Sequence, residues 1–241
     1  LGGEPLQEDE LLRTLEKATG ASVHSVAAEI ARGFVSCRGV RIGLCGTAVE
    51  ENGSLRGFRS YSSLTIRIPH EARGACDAIY PLLAAGRFEN TLILSPPGGG
   101  KTTALRELIR RLSNGGRRIG VVDERGELAA MQGAAAGFDL GASTDVVSLC
   151  GKREGAMLLL RGMNEQILAV DEITQPEDLS VMREIVGCGV GLLATAHAKE
   201  ADELHRRPLY ASLLEERIFT RAIVIHNEGV GRRYEWKELS L

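Results

Sequence analysis

Thr91-Leu92-Ile93-Leu94-Ser95-Pro96-Pro97-Gly98-Gly99-Gly100-Lys101-Thr102-Thr103 is the stretch that decides the fold. A short apolar run enters a glycine-rich loop, and Ala104–Leu112 continues with helical spacing, so the order is strand, loop, helix. Glycines let backbone N–H groups turn inward around phosphate oxygens. The positive end of the following helix adds to that attraction. Lys101 is placed to reach the β- and γ-phosphates of a nucleotide, and Thr102 to set its hydroxyl on Mg²⁺. Ser95, Pro96, Pro97, Gly98, Gly99, Gly100, Lys101, Thr102 and Thr103 are therefore the candidate nucleotide-binding residues. The generic G-x-x-x-x-G-K-[ST] pattern opens on glycine, where this chain has Ser95. Serine is small enough to keep the turn.

Downstream, apolar runs at Ile119–Val122, Asp145–Leu149, Gln166–Val170, Gly191–Thr195 and Ala222–His226 alternate with helical stretches. That alternation predicts a parallel sheet covered on both faces. Val224–Ile225 and Arg233–Trp236, flanking 227–231, read as a terminal hairpin. Ile167–Val170 ends in Asp171-Glu172. A carboxylate at the tip of the strand beside the loop holds Mg²⁺ through water, and Asp171 takes that place. Glu172 projects toward the γ-phosphate, to orient or deprotonate the attacking water. A second acid favours hydrolysis over transfer to a small-molecule acceptor. Two further strand ends carry polar groups, Asp123-Glu124-Arg125 and Ala196-His197. Strand C-termini converge on one edge of a parallel sheet. Glu124 is thus expected to support the metal or the water, and His197 to donate to the γ-phosphate. His24, His70, His205 and His226 read as structural or solvent-facing.

Upstream of Gly86 the style differs. Leu11, Leu12 and Leu15 place a helix over Glu8–Ala18, and a second is expected over Val23–Ala31, ended by Gly33. Alternating segments follow at Phe34–Arg38, Val40–Val49, Arg56–Tyr61 and Leu64–Ile68, with Asn52-Gly53 as a hairpin turn and Pro69 as a stop. Ala72–Leu83 reads as a helix leading onward. The expected organisation is a small α+β domain over 1–86, then an α/β domain with a parallel sheet over 87–241.

Composition bounds the partners. The chain has 241 residues, 44% hydrophobic and 25% charged, an ordinary globular balance with room for one large or two smaller domains. Aromatics are 4% and net charge is −3, which argues against stacking platforms for single strands and against global attraction to nucleic acid. Arg110-Arg111 and Arg117-Arg118 are the densest basic patch and read as a solvated helix end. Cys37, Cys45, Cys76, Cys150 and Cys188 show no zinc spacing and read as reduced, buried and cytosolic. No run reaches the roughly 18–20 apolar residues of a membrane span, and no signal peptide is seen. The opening Leu1-Gly2-Gly3, without methionine, reads as a trimmed start.

Gly39-Val40-Arg41-Ile42-Gly43-Leu44, Leu64-Thr65-Ile66-Arg67-Ile68, Ser95-Pro96-Pro97-Gly98, Val122-Asp123-Glu124-Arg125 and Asp171-Glu172-Ile173 together resemble the stage III sporulation protein AA family. The likeness spans roughly residues 20–230. That family is related to the hexameric ATPases of type II and type IV secretion and of pili. The resemblance implies a RecA-like P-loop NTPase core, ATP and Mg²⁺ as ligands, and a homo-oligomeric ring, a hexamer. It also implies work from the mother-cell cytoplasm of a sporulating bacterium, on membrane-embedded channel proteins. Glu124 falls in the acidic box of such ATPases and His197 in their histidine box. Arg41 and Arg67 match the arginines that complete a site at a subunit interface, with Arg221 a weaker candidate. Two departures stand: there is no tetracysteine zinc motif, and Thr174 follows Asp-Glu-Ile where glycine is expected. The alternatives are a nucleic-acid-dependent RecA-like ATPase, and a nucleotide-gated scaffold with negligible turnover.

Overall fold

A computed structural model of the chain describes residues 6–20, 26–37, 40–68, 71–131, 136–229 and 231–239. The chain divides into two compact units, Leu1–Pro69 with Ala130–Gly137, and His70–Ala129 with Phe138–Leu241.

In the first unit, helix α1 (Glu8–Ala18) begins with Glu8, Asp9 and Glu10, acids that suit the positive end of a helix. The Gln7 N–H donates to the Glu10 carboxylate at 2.8 Å, so one of the helix's orphan donors is satisfied. Leu11 and Leu15, one turn apart, are its buried face. Of the helix expected over 23–31, Ala27–Ile30 forms α2, and residues 23–25 lie outside the described residues. Strands β1 (Phe34–Cys37), β2 (Val40–Glu51) and β3 (Ser54–Arg67) make an antiparallel sheet in that order. Arg38 and Pro69 fall outside the described residues. Asn52 and Gly53 turn the β2–β3 hairpin with φ of 55° and 74°, the left-handed pair that matches strand twist. The two strands expected at 56–61 and 64–68 are one. The register passes from Cys45↔Ser63 to Gly46↔Tyr61, so Ser62 is taken up as a bulge and the ladder continues. Leu15, Ile30, Val35, Ile42 and Leu44 are the core of this unit.

The second unit holds α3 (Tyr80–Ala84), β4 (Thr91–Leu94), α4 (Lys101–Asn114), β5 (Ile119–Asp123), β6 (Thr144–Ser148), α5 (Lys152–Gly162), β7 (Ile167–Glu172), α6 (Asp178–Gly187), β8 (Gly191–Ala196), α7 (Pro208–Glu215), β9 (Arg221–Glu228) and β10 (Gly231–Glu238). The strand order is β10-β9-β4-β8-β7-β5-β6. All neighbours pair in parallel except the β9–β10 hairpin. Every residue of β4 and β5 is buried, as strands covered on both faces must be.

Four expectations need correction. The helix expected over 72–83 is only α3, preceded by turns. Pro81 sits in the first turn of α3, and its ring clashes with the preceding carbonyls a longer helix needs, so the helix starts there. The change of style near Gly86 is not where the units divide, because α3 packs on α4 through Arg111, whose guanidinium lies 4.2 Å from the Tyr80 ring centroid. The strand beside the phosphate loop is not β7, since β8 pairs with both β4 and β7 and separates them. The cysteines are free, but only Cys76 is buried, while Cys37 and Cys150 are half-buried and Cys45 and Cys188 exposed. Among the described residues, no helix is long and apolar enough to cross a membrane.

Candidate nucleotide site

The loop after β4 is built by close packing. A Cβ on Gly99 would lie 1.6 Å from Ser95 Oγ, so the serine side chain fills the space under the loop. Gly100 caps α4 with φ of 95°, and Lys101 opens the helix. Lys101 is 7% exposed, and its Nζ donates to the carbonyls of Ser95 at 3.1 Å and Pro96 at 3.3 Å. Nζ also lies 2.7 Å from His197 Nδ1. An ammonium only donates, so Nδ1 accepts and the imidazole proton sits on Nε2. His197 Nε2 faces the Glu172 carboxylate. Lys101, His197 and Glu172 are thus in contact in that order, by a hydrogen bond at the first step and an ion-pair contact at the second. Burial lowers the pKa of Lys101, against the pull of Glu172 and Asp171. Burial, then the Lys101 charge, lowers that of His197. The Arg207 guanidinium donates to the His197 carbonyl at 2.6 Å and holds the backbone there.

Asp171, 6% exposed, is pushed up to about 7, by burial first and then by Glu127 and Asp123, with Glu172 a smaller contributor. A buried carboxylate in an acid-rich site, with the Thr102 hydroxyl in the first turn of α4, is a hard-oxygen donor set that fits Mg²⁺. The three residues after Val122 point three ways. Asp123 is fully buried and accepts the N–H groups of Glu127, Leu128 and Ala129 at 2.9, 3.1 and 2.9 Å, which ties down the following loop. Glu124 accepts Lys152 Nζ at 2.8 Å, and Lys152 also lies 3.5 Å from Asp178. Arg125 reaches Glu172 at 3.7 Å. Asp178 in turn accepts the N–H groups of Thr174 and Gln175 at 2.8 and 3.0 Å. Thr174 is not in the left-handed region, so the loop after Glu172 needs no glycine at that position.

Over residues 3–235 the chain matches the family model described as Sporulation stage III, protein AA. It is 36% identical over 213 residues to the stage III sporulation protein AA of Bacillus subtilis (strain 168), covering 86% of this chain and 69% of that one. The chain belongs to this family. Its fold is that of the Legionella pneumophila ATPase DotB (TM-score 0.61, 16% identity, 100% of this chain and 71% of that one). It is also that of the pilus retraction motor PilT, solved with bound ADP (TM-score 0.60, 17% identity, 95% and 70%). The chain is thus an α/β protein with the fold of these P-loop ATPases and an antiparallel sheet in its N-terminal part.

The predicted site residues of this family member divide by unit. Lys101, His197 and Glu172 come together, with Asp171 at the same sheet edge. Glu124 lies instead in the Lys152–Asp178 network. Arg41 and Arg67 belong to the other unit, where they are cross-strand partners on β2 and β3. The Arg41 guanidinium lies 3.8 Å from the Phe34 ring centroid. Arg221 pairs with Thr91, at the start of β4 and away from the loop, and is bridged to Glu89 and Glu238. In the basic patch, Arg110 pairs with Glu107 and Arg111 with Asp77, while Arg117 and Arg118 donate to the carbonyls of Gly86 and Asn164. Sequence reading missed Arg125, Lys152 and Arg232, whose guanidinium abuts Gly100. Arg125 had a signal in its place directly after the Asp-Glu at a strand end. Lys152 and Arg232 are brought in from elements distant along the chain and had none.

Proposed function

We propose that this chain binds Mg-ATP and hydrolyses it as one subunit of a hexameric ring. The ring, working from the mother-cell cytoplasm, energises a membrane-embedded sporulation channel. The observation that carries the reading is the Lys101–His197–Glu172 chain at the mouth of a glycine-rich loop. Thr102 and Asp171 would hold Mg²⁺, which when bound offsets phosphate charge. Lys101 exchanges the Ser95 and Pro96 carbonyls for phosphate oxygens. Glu172, with the His197 ring against its carboxylate, takes a proton from water as the water oxygen bonds to the γ-phosphorus and the bond to ADP breaks. Arg41 and Arg67 are the candidates for completing a neighbouring copy's site.

ATP hydrolysis measured against protein concentration, for the wild type, Lys101→Ala and Arg67→Ala, tests the ring. Specific activity that climbs with concentration and is abolished by both substitutions supports it. Activity that is independent of concentration and survives Arg67→Ala would mean that each copy works alone. Single-stranded DNA or RNA is expected to leave the rate unchanged, and a several-fold rise would favour a nucleic-acid-driven enzyme instead.

A further inference from the structure

β10 overhangs the phosphate loop. β9 pairs with β4 as far as Leu94↔Val224, runs on, and turns back into β10, where Arg232 stands opposite Asn227. Asn227 is about 10 Å beyond the last β4 pair, so Arg232 stands at the level of the loop rather than of the sheet. A Cβ on Gly100 would lie 2.6 Å from the guanidinium carbon of Arg232 and 2.8 and 2.9 Å from its terminal nitrogens. The head of Arg232 therefore rests on the N-cap of α4. Two residues along the same face of β10, Tyr234 lies beside Cys76. The Cys76 thiol donates to the Ala104 carbonyl at 3.7 Å, which anchors this face over the first turn of α4.

The charges make the placement informative. The other cations of the hairpin are paired: Arg221 with Glu89 and Glu238, Arg233 with Glu228 and Glu235, Lys237 with Glu200 and Glu235. Among the described residues, no carboxylate pairs with Arg232. A guanidinium set against Gly100, the residue before Lys101, at the positive end of a helix carries the same sign of charge as both. An anion placed between them reverses the sign and accepts charge-assisted hydrogen bonds from each.

We propose that Arg232 is a binding residue for the polyphosphate of the nucleotide. It closes the loop on the β9–β10 side, while Lys101, His197 and Glu172 stand on the β8 side. The inference rests on the reading of this loop as the nucleotide site.

Calorimetric titration with ADP in Mg²⁺ buffer tests it, on the wild type, Arg232→Ala, Arg232→Lys and Arg233→Ala. Arg232→Ala is expected to bind ADP about tenfold more weakly. Arg232→Lys recovers part of the loss, and Arg233→Ala, which breaks only surface ion pairs, binds as the wild type does. Arg232→Gln keeps the reach of the side chain without its charge and gives the same reading should the alanine variant not fold. Wild-type affinity in the alanine or glutamine variant overturns the proposal. So does an equal loss in Arg232→Ala and Arg233→Ala, which reports damage to the hairpin. A wild type that does not bind ADP overturns the nucleotide reading itself, and Arg232 falls with it.

Discussion

Position 95 carries a hydroxymethyl group where the generic loop has only hydrogen, and that group occupies the space a side chain on Gly99 would need. Gly99→Ala is expected to distort the loop and weaken ADP binding at least tenfold, because overpacking costs about 1–3 kcal/mol. Adding Ser95→Gly removes the serine from the clash and leaves the Pro96 carbonyl at 3.0 Å, so the double variant should recover part of the affinity in the same titration. Glu172→Gln keeps the shape and loses the base. Nucleotide binding is expected to persist while turnover falls about a hundredfold or more, which a single-turnover assay measures directly. Lys101, Asp171, Glu172 and His197 were legible because each follows a strand or loop whose direction the sequence states. Glu124 was not, since Asp123 spends its carboxylate on three backbone N–H groups and the turn it fixes sends the next side chain toward Lys152.

At the scale of elements, the edge of the sheet opposite the phosphate loop carries a conflict. Glu165, just before β7, is 8% exposed, and among the described residues neither carboxylate oxygen has a donor. Burial, then the neighbouring Asp145, pushes it up to about 7. A raised carboxyl keeps its proton in the folded chain after the unfolded chain has released it. Stability is therefore fullest below the ordinary value of 4.5, falls as pH rises from there to about 7, and stays lower above. Glu165→Gln supplies Asp145 with a donor at every pH. It should raise the thermal midpoint at pH 8, by the equivalent of about 1–3 kcal/mol, and much less at pH 5. Unfolding scans of both proteins at the two pH values check this, and an equal shift at both would remove the titration argument. The strands here were read from short apolar runs, but their order was not. Nothing local in Gly191–Ala196 says that it lies between β4 and β7.

For the whole molecule, the proposed ring makes a prediction that neither unit makes alone. Lys101→Ala and Arg67→Ala chains, each inactive, are expected to regain activity when mixed, provided that Arg67 of one copy serves Lys101 of another. Random assembly of equal amounts leaves about a quarter of the sites intact. Mixtures that stay inactive would place both residues in one copy's own site. The sequence by itself determined the strand–loop–helix phosphate motif, the parallel α/β core, the β2–β3 hairpin and the acids at the end of β7. Each of these is written in residues adjacent along the chain, where backbone freedom, periodicity and polarity act locally. Only the tertiary structure decided that β8 separates β4 from β7, that His197 links Lys101 to Glu172, and that Arg232 returns over Gly100. Those contacts join residues from about 25 to 130 positions apart, and packing of the sheet, rather than any local propensity, brings them together.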